Sequence, residues 1–379
     1  MATENNNKTL NVPNLRFPEF SEEWKSNELH KVASLSKGTG ISKDQLSDSG
    51  HPCILYGELY TKYKSEIIRE VYSKTQLDVA NLVKSHTNDV IIPCSGEAAI
   101  EIATARCVLI PEVLLGSDLN IIRLNGCHDG GFFAYQLNGK RKVDIAKVAQ
   151  GVSVVHLYGE HLKKVKVSYP SLKEQQKISS FLALLDERIA TQIKIIEKLE
   201  SLIKGLCQKL TQQDYPNTAL NETLVCYSST LQESLVQEAG DYPVYGATGV
   251  CGYTDTPEVD GDSILIIKDG ASVGVTYYAS GRYSAIGTLN RLVAKRGYSL
   301  RYLYYCLKVF NFAPYRIGLA IPHIYFRDYG KAKVWCPSLD EQQRIADALS
   351  KVDQKIAIEK SLLEQLYSQK RFLLQAMFI

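Results

Sequence analysis

Pro170-Ser171-Leu172-Lys173-Glu174-Gln175-Gln176-Lys177-Ile178 recurs 167 residues later as Pro337-Ser338-Leu339-Asp340-Glu341-Gln342-Gln343-Arg344-Ile345. Aligned without gaps from Gly151 and Gly318, 17 of 40 positions are identical. They include His156/His323, Tyr158/Tyr325, Lys164/Lys331 and Asp186/Asp353. Composition alone gives about two or three such matches. The chain is an internal duplication, and that decides how the rest is read. A weaker echo lies upstream. Asn88-Asp89-Val90-Ile91 resembles Gly261-Asp262-Ser263-Ile264, and Leu119-Asn120 resembles Leu289-Asn290. The repeated unit is a globular segment followed by a helix.

The helices are set by their starts. Ser171 with Glu174, and Ser338 with Glu341, match the capping box just after a proline. In that motif the hydroxyl accepts from a backbone N–H three residues on, and the carboxylate reaches back. A heptad follows. Leu182, Ile189, Ile196 and Ile203 are spaced by seven, with Leu185 and Leu199 in the companion positions. In the second copy Leu349, Ile356 and Leu363 match the first series, and Val352, Leu366 and Leu373 the second. An apolar seam at 3.5-residue spacing predicts helix packed on helix. Each helix is expected to run about 40 residues, or roughly 60 Å. The first must stop before Pro216. Gln192 and Glu359 fall in one heptad slot, and Lys370 interrupts the seam again. Such positions either specify register or let a polar side chain leave the seam at a loose point.

The globular segments carry short bursts such as Asp89-Val90-Ile91-Ile92 and Ser263-Ile264-Leu265-Ile266-Ile267, punctuated by Gly and Asp. That pattern reads as β-rich. The expected fold class is α+β: two β-rich domains joined by two long coiled-coil helices, an internal repeat with a pseudo-two-fold if the helices run antiparallel. The boundaries follow as 1–169 for the first globular domain with an N-terminal arm and 170–213 for the central helix. The second globular domain is 214–336 and the C-terminal helix 337–379. Two like domains on antiparallel helices can match the dyad of duplex DNA.

Composition narrows the function. Lys and Arg number 44 against 41 Asp and Glu, a net charge of +3. This permits a nucleic-acid partner and excludes a blanket of charge. Residues 1–169 hold 20 basic and 19 acidic groups, and residues 214–336 hold 11 of each, so a DNA-binding face must be a local stripe. The start Met1 to Asn7 is polar, so no secretory signal is expected, and no apolar run reaches membrane-helix length. Nine cysteines without a Cys-x-x-Cys pair point to a reducing cytoplasm and to no metal site. No P-loop and no Gly-x-Ser-x-Gly elbow occurs, so no catalytic residue is assigned. His156 and His323 read as structural, since no carboxylate or cysteine cluster accompanies them in sequence.

Basic and aromatic loops remain, among them Lys140-Arg141-Lys142. In the first segment the candidate DNA contacts are Lys37, Thr39, Tyr56, Glu58, Tyr60, Lys62 and Lys64. In the second they are Tyr245, Thr248, Lys268, Asp269, Ser272, Tyr277, Tyr278 and Arg291. Cations suit phosphates, and these polar side chains supply donors and acceptors for base edges. Each loop also has a bland reading, as a solvated hairpin turn.

The order of these features resembles a known family. Pro13-Asn14-Leu15-Arg16-Phe17-Pro18-Glu19-Phe20, then Trp24, precedes a variable segment and a Pro-Ser-Leu-x-Glu-Gln-Gln-x-Ile helix start, and the segment and helix start then repeat. This resembles the specificity subunit of type I restriction–modification systems over nearly the whole chain. The second segment departs from it, because Asp214-Tyr215-Pro216-Asn217 lacks the Leu-Arg-Phe-Pro-Glu-Phe stretch. The resemblance implies two target-recognition domains, each reading half of a bipartite double-stranded DNA site. It implies two long helices that pack antiparallel, act as spacer and dock two methyltransferase subunits, which bring S-adenosylmethionine. Restriction and motor subunits using ATP and Mg join for cleavage. The chain itself is expected to bind no cofactor and no membrane. Two other readings stay open: the specificity subunit of a type II-like fused nuclease–methylase, and a coiled-coil adaptor that binds no DNA.

Overall fold

Four helices reach nine residues among the described residues, and two of them start inside the duplicated motif. They are α1 (Gly130–Asn138), α2 (Leu172–Thr211), α3 (Leu300–Lys308) and α4 (Leu339–Ala376). The computed structural model describes residues 11–379, so the polar start of the chain lies outside the described residues. Packing divides the chain into two compact units. The first comprises residues up to Ile193 together with Leu362–Ile379, and the second comprises Lys194–Ser361. Neither long helix belongs to one unit.

In the first unit Ile178, Leu182, Leu185 and Ile189 of α2 share a core with Leu366, Leu373 and Leu374 near the end of α4. In the second, Ile203 and Cys207 late in α2 share a core with Ile345, Leu349 and Ile356 early in α4. Early segments of one helix thus meet late segments of the other, which makes the pairing antiparallel. The seam follows the heptad. Ile196 is buried, and Leu199, Val352 and Leu363 are half-buried.

Each unit presents the same three antiparallel strands to its helix. In the first unit Ala33–Lys37, Leu119–Leu124 and Asp89–Pro93 adjoin in that order, and the sheet continues through Arg106–Val108 to Ile67–Ile68. In the second, Leu224–Ser228, Leu289–Ala294 and Ser263–Ile267 adjoin, ending at Thr276–Ala279. A further four-stranded sheet packs within each unit. Entry and exit also match: Lys25–Glu28 pairs with Lys166–Tyr169, and Thr218–Ala219 with Lys333–Val334. The pairing corrects the upstream echo by one residue. Asn120 faces Ile92 and Asn290 faces Ile266, so Val90 corresponds to Ile264. A one-residue slip would have sent each side chain to the wrong face.

The helix starts depart from the expected capping boxes. The Glu174 carboxylate does not turn back to Ser171. It accepts two hydrogen bonds of 2.7 Å from Arg16 and one of 3.3 Å from the Trp24 indole. A bidentate guanidinium is the stronger donor, and Glu174 is almost fully buried beneath the arm. Phe17 packs edge-on against Phe181, and Glu19 pairs with Lys177. In the second copy, which lacks the arm, the Ser338 hydroxyl accepts from the Glu341 N–H at 3.4 Å, a weak cap.

The repeated glutamine has its own task. Gln175 accepts from the Asp129 N–H at 3.0 Å and donates to the Pro170 carbonyl at 2.9 Å. Gln342 accepts from the Ser299 N–H at 3.0 Å and donates to the Pro337 carbonyl at 2.9 Å. Asp129 and Ser299 cap α1 and α3. One buried carboxamide in each copy therefore fastens the start of a long helix to the start of a short one.

Lys370 occupies the slot that Ile203 holds in the other repeat, and the first unit supplies the reason. Its ammonium lies 2.5 Å from Glu66 and 2.6 Å from Asp186, all three being largely buried. Asp186 also accepts from Ser65 at 2.9 Å and Tyr135 at 2.8 Å. Burial alone would lower the Lys370 pKa, but the two carboxylates outweigh it and hold the pKa above the ordinary lysine value. Gln192 and Glu359 are buried in the seam, and Glu359 pairs with Lys355.

Removing Lys370 leaves two carboxylates without their cation. Lys370→Met should cost about 3–5 kcal/mol in urea unfolding. Adding Glu66→Gln and Asp186→Asn should recover much of that loss. Equal stability of Lys370→Met and the parent would show that the network contributes nothing. Gln175→Ala and Gln342→Ala should each cost about 1–3 kcal/mol, since each leaves a part-buried N–H without its acceptor.

Candidate nucleic-acid interface

In the second unit the candidate loop 268–274 joins the strands Ser263–Ile267 and Thr276–Ala279. Asp269 is its pivot. It lies 2.5 Å from Lys268 and 2.7 Å from His323 Nδ1. Burial would raise the Asp269 pKa, but bonds to His323 and Lys268 more than offset this and keep the carboxylate ionised. His323, read as structural from sequence, thus has a carboxylate partner 54 residues away. Backbone bonds complete the clasp: the Ile324 N–H donates to the Lys268 carbonyl and Gly270 to that of Pro322, both at 2.9 Å. Arg316 donates to the Val273 carbonyl at 3.0 Å.

The first unit has the same arrangement with other side chains. Ser95–Gly96 pairs with Val155–His156. The Leu157 N–H donates to the Cys94 carbonyl at 2.8 Å, and His156 Nδ1 lies 3.3 Å from the Ser95 hydroxyl. Cys94-Ser95-Gly96 therefore occupies the place of Lys268-Asp269-Gly270. This loop was missed in the sequence. The upstream echo, shifted by one residue and extended, would have reached it.

Several candidates come together around these loops. Tyr60 donates to the Ser95 carbonyl at 3.0 Å. With Tyr56, Ser95, Glu97 and Val154 it lines a cleft of about 730 Å³. A second cleft of about 880 Å³ joins Gly40 to Tyr56, Thr61 and Lys62. In the second unit Tyr277 donates to the Ala247 carbonyl at 2.9 Å, beside Thr248, and Tyr245 packs edge-on against Tyr283. Pairing sets Tyr227, Arg291, Leu265 and Tyr277 in one row across the sheet, with Arg291 stacked 4.3 Å from the Tyr227 ring. Lys37, Tyr56, Lys64, Thr248 and Ser272 are exposed, with Lys64 donating to the Tyr60 carbonyl at 3.2 Å.

Other candidates are committed to the fold. Glu58 is buried, accepts from the Leu55 N–H at 2.9 Å, and holds Lys62 at 2.7 Å, while Lys62 also donates to Ser73 at 2.6 Å. Thr39 accepts from the Val83 N–H at 3.2 Å. Tyr278 lies in the row of Ile264 and Leu292, on the opposite face from Tyr277. Its hydroxyl donates to Asp262 at 2.8 Å, and Arg301 stacks 4.0 Å from its ring. In the Lys140-Arg141-Lys142 cluster, Arg141 is bonded to Asp144 and to the Ile379 carbonyl. Among the described residues no cluster of three His, Cys, Asp or Glu could hold a metal ion, all nine cysteines are unpaired, and no helix is long and apolar enough to cross a membrane.

Comparison with known proteins agrees with this architecture. Residues 21–201 and 227–368 match the model of the type I restriction modification DNA specificity domain. A putative type I restriction enzyme MjaX specificity subunit of Methanocaldococcus jannaschii is 23% identical over 412 residues, covering 96% of this chain and 95% of its own. The EcoprrI specificity subunit of Escherichia coli is 26% identical over 117 residues, 31% of this chain and 29% of its own. The solved S subunit from M. genitalium superposes with a TM-score of 0.66 at 19% identity, covering 97% and 99% of the two chains. A chain from a type I R-M system solved to explain its assembly and conformational transition gives 0.55 at 16% identity, covering 93% and 96%. The two matched segments span both repeats and both helix starts, and the chain belongs to the type I restriction modification DNA specificity domain family.

Proposed function

We propose that each unit reads one half of a bipartite double-stranded DNA target. As a member of its family the chain is a specificity subunit, not the catalyst. The observation that carries the reading is the pair of clasped loops. Cys94-Ser95-Gly96 and Lys268-Asp269-Gly270 sit at the same strand end, each held by a duplicated histidine, and present different side chains. Equal placement with unequal chemistry suits a reader of two different half-sites. Lys37, Tyr56 and Tyr60 in one unit, with Lys268, Asp269 and Ser272 in the other, would carry the contacts, and Tyr245, Thr248, Tyr277 and Arg291 would flank them.

Two methyltransferase subunits using S-adenosylmethionine would dock on the helices, and restriction and motor subunits using ATP and Mg would join them in the cytoplasm. Support comes from apolar side chains that the helices leave exposed. They include Leu184 and Phe372 in the first unit, and Leu202 and Ile358 in the second.

The test is binding of the methyltransferase-bound complex to a cognate duplex and to single-mismatch duplexes. The target comes from mapping methylated adenines in a host carrying this gene. Tyr56→Ala should cost about 1–3 kcal/mol and relax preference in one half-site only, and Ser272→Ala only in the other. Loss spread over both halves would sink the one-unit, one-half-site assignment. The helices would set the gap between half-sites. Matched heptads inserted after Leu199 and after Lys360, where Glu200 and Lys360 pair at 2.6 Å, lengthen the pair by roughly 10 Å. The methylated adenines should then move apart by about three base pairs; an unchanged gap in a folded variant would refute the ruler.

A further inference from the structure

Both repeats push an apolar tip into solvent beside the clasped loop. Backbone bonds of 2.9 and 2.7 Å close Gln150 on His156, and bonds of the same two lengths close Ile317 on His323. Between them the chain turns on Gly151 at φ +120° and Gly318 at φ +93°. A Cβ there would lie 2.1 Å from the Val154 carbonyl oxygen and 2.5 Å from that of Ile321. Only glycine fits either turn. The next residues are Val152, 98% exposed, and Leu319, 106% exposed. Val154 and Ile321 follow at 52% and 60%.

A fully exposed Val or Leu forgoes about 1.5–3 kcal/mol of burial. Two repeats that differ at many positions both do this at one place. The tips are narrow, whereas protein-docking surfaces are broad apolar patches. Their chemistry suits a polyanion: the equivalent stretches Ala146–Gly159 and Ala313–Phe326 hold Lys147 and Arg316 and no acidic residue, with Glu160 and Asp328 just beyond them and Asp269 already paired with His323. Arg327 stacks 4.9 Å from the Tyr325 ring and has Asp328 at 3.7 Å. Each tip is bonded to the loop proposed to read bases, through His156 and Ser95 in one unit and His323 and Asp269 in the other.

We infer that Val152 with Val154, and Leu319 with Ile321, are wedges that enter the duplex at each half-site and unstack a base step. Apolar side chains do this in proteins that kink DNA. An adenine must leave the stack before its amino group can be methylated, and a wedge in each half lowers that cost at both sites. The inference rests on the DNA-reading role proposed above.

The test uses the methyltransferase-bound complex, the mapped duplex, and the same duplex with a mismatch opposite the target adenine of one half-site. Leu319→Ser/Ile321→Ser should bind the intact duplex about tenfold more weakly or worse, since unstacking a step costs a few kcal/mol. The mismatch in its own half-site should restore most of the loss, and the mismatch in the other half should not. Val152→Ser/Val154→Ser should show the converse. Leu319→Met should bind like the parent, and thermal melting of the exposed-tip variants should be unchanged. Equal loss on intact and mismatched duplexes would reduce the tips to plain contacts and overturn the wedge, as would unchanged binding. Loss of methyltransferase co-purification would assign the tips to the protein partner instead. Failure of the unaltered complex to bind any duplex would overturn the DNA-reading role and the wedge together.

Discussion

A forty-residue amphipathic helix cannot bury its own seam, and the architecture of each unit answers that constraint. The chain spends α2 and α4 on each other, so each unit is built on two helix segments distant in sequence. The second unit is one contiguous stretch, Lys194–Ser361, but the first is not. The first needs residues after Leu362 to cover Leu182 and Ile189, and Phe378 lies edge-on against Trp24. The globular sheets add their own apolar faces to the same cores, which is why α1 and α3 must be fixed against the helix starts. The buried carboxamides of Gln175 and Gln342 make that attachment with four hydrogen bonds.

An apolar seam alone tolerates several registers, and buried polar positions can restrict them. Lys370 sits where Glu66 and Asp186 converge, whereas Ile203 at the equivalent slot lies in an apolar core. The N-terminal arm adds a second asymmetry. It buries Glu174 under Arg16 and Trp24, while Glu341 in the other copy stays partly exposed. The repeats share a fold, yet each helix end carries the charge pattern of one partner.

Legibility in the sequence followed separation along the chain. The helix starts and seams were readable because period and motif are local, and Leu182 to Ile203 and Leu349 to Leu373 lie where the heptad puts them. The capping box was misread at Glu174 because its partner Arg16 is 158 residues away. The site was less legible for the same reason. Asp269 and His323 are 54 residues apart, Ser95 and His156 are 61, and nothing local announces either pair. Tyr277 and Tyr278 looked alike in sequence, but strand alternation sends them to opposite faces. Glu58 and Lys62 read as exposed loop residues, yet a one-turn helix aims them at each other and at Ser73.

If the clasped loops read DNA as proposed, their construction would let a duplicated fold carry two different recognition surfaces. They are held mainly by main chain: Leu157 to Cys94, Ile324 to Lys268, Gly274 to Ile267. Such bonds do not depend on which side chain occupies the position. The histidine ring accepts a serine partner in one unit and an aspartate in the other, so even the side-chain part of the clasp tolerates exchange. Substituting residues that point away from the clasp leaves strand pairing, helix seam and glutamine attachment in place. The clasp is thus held by main-chain bonds that both repeats share, and under the proposed reading recognition would lie in side chains that they do not share.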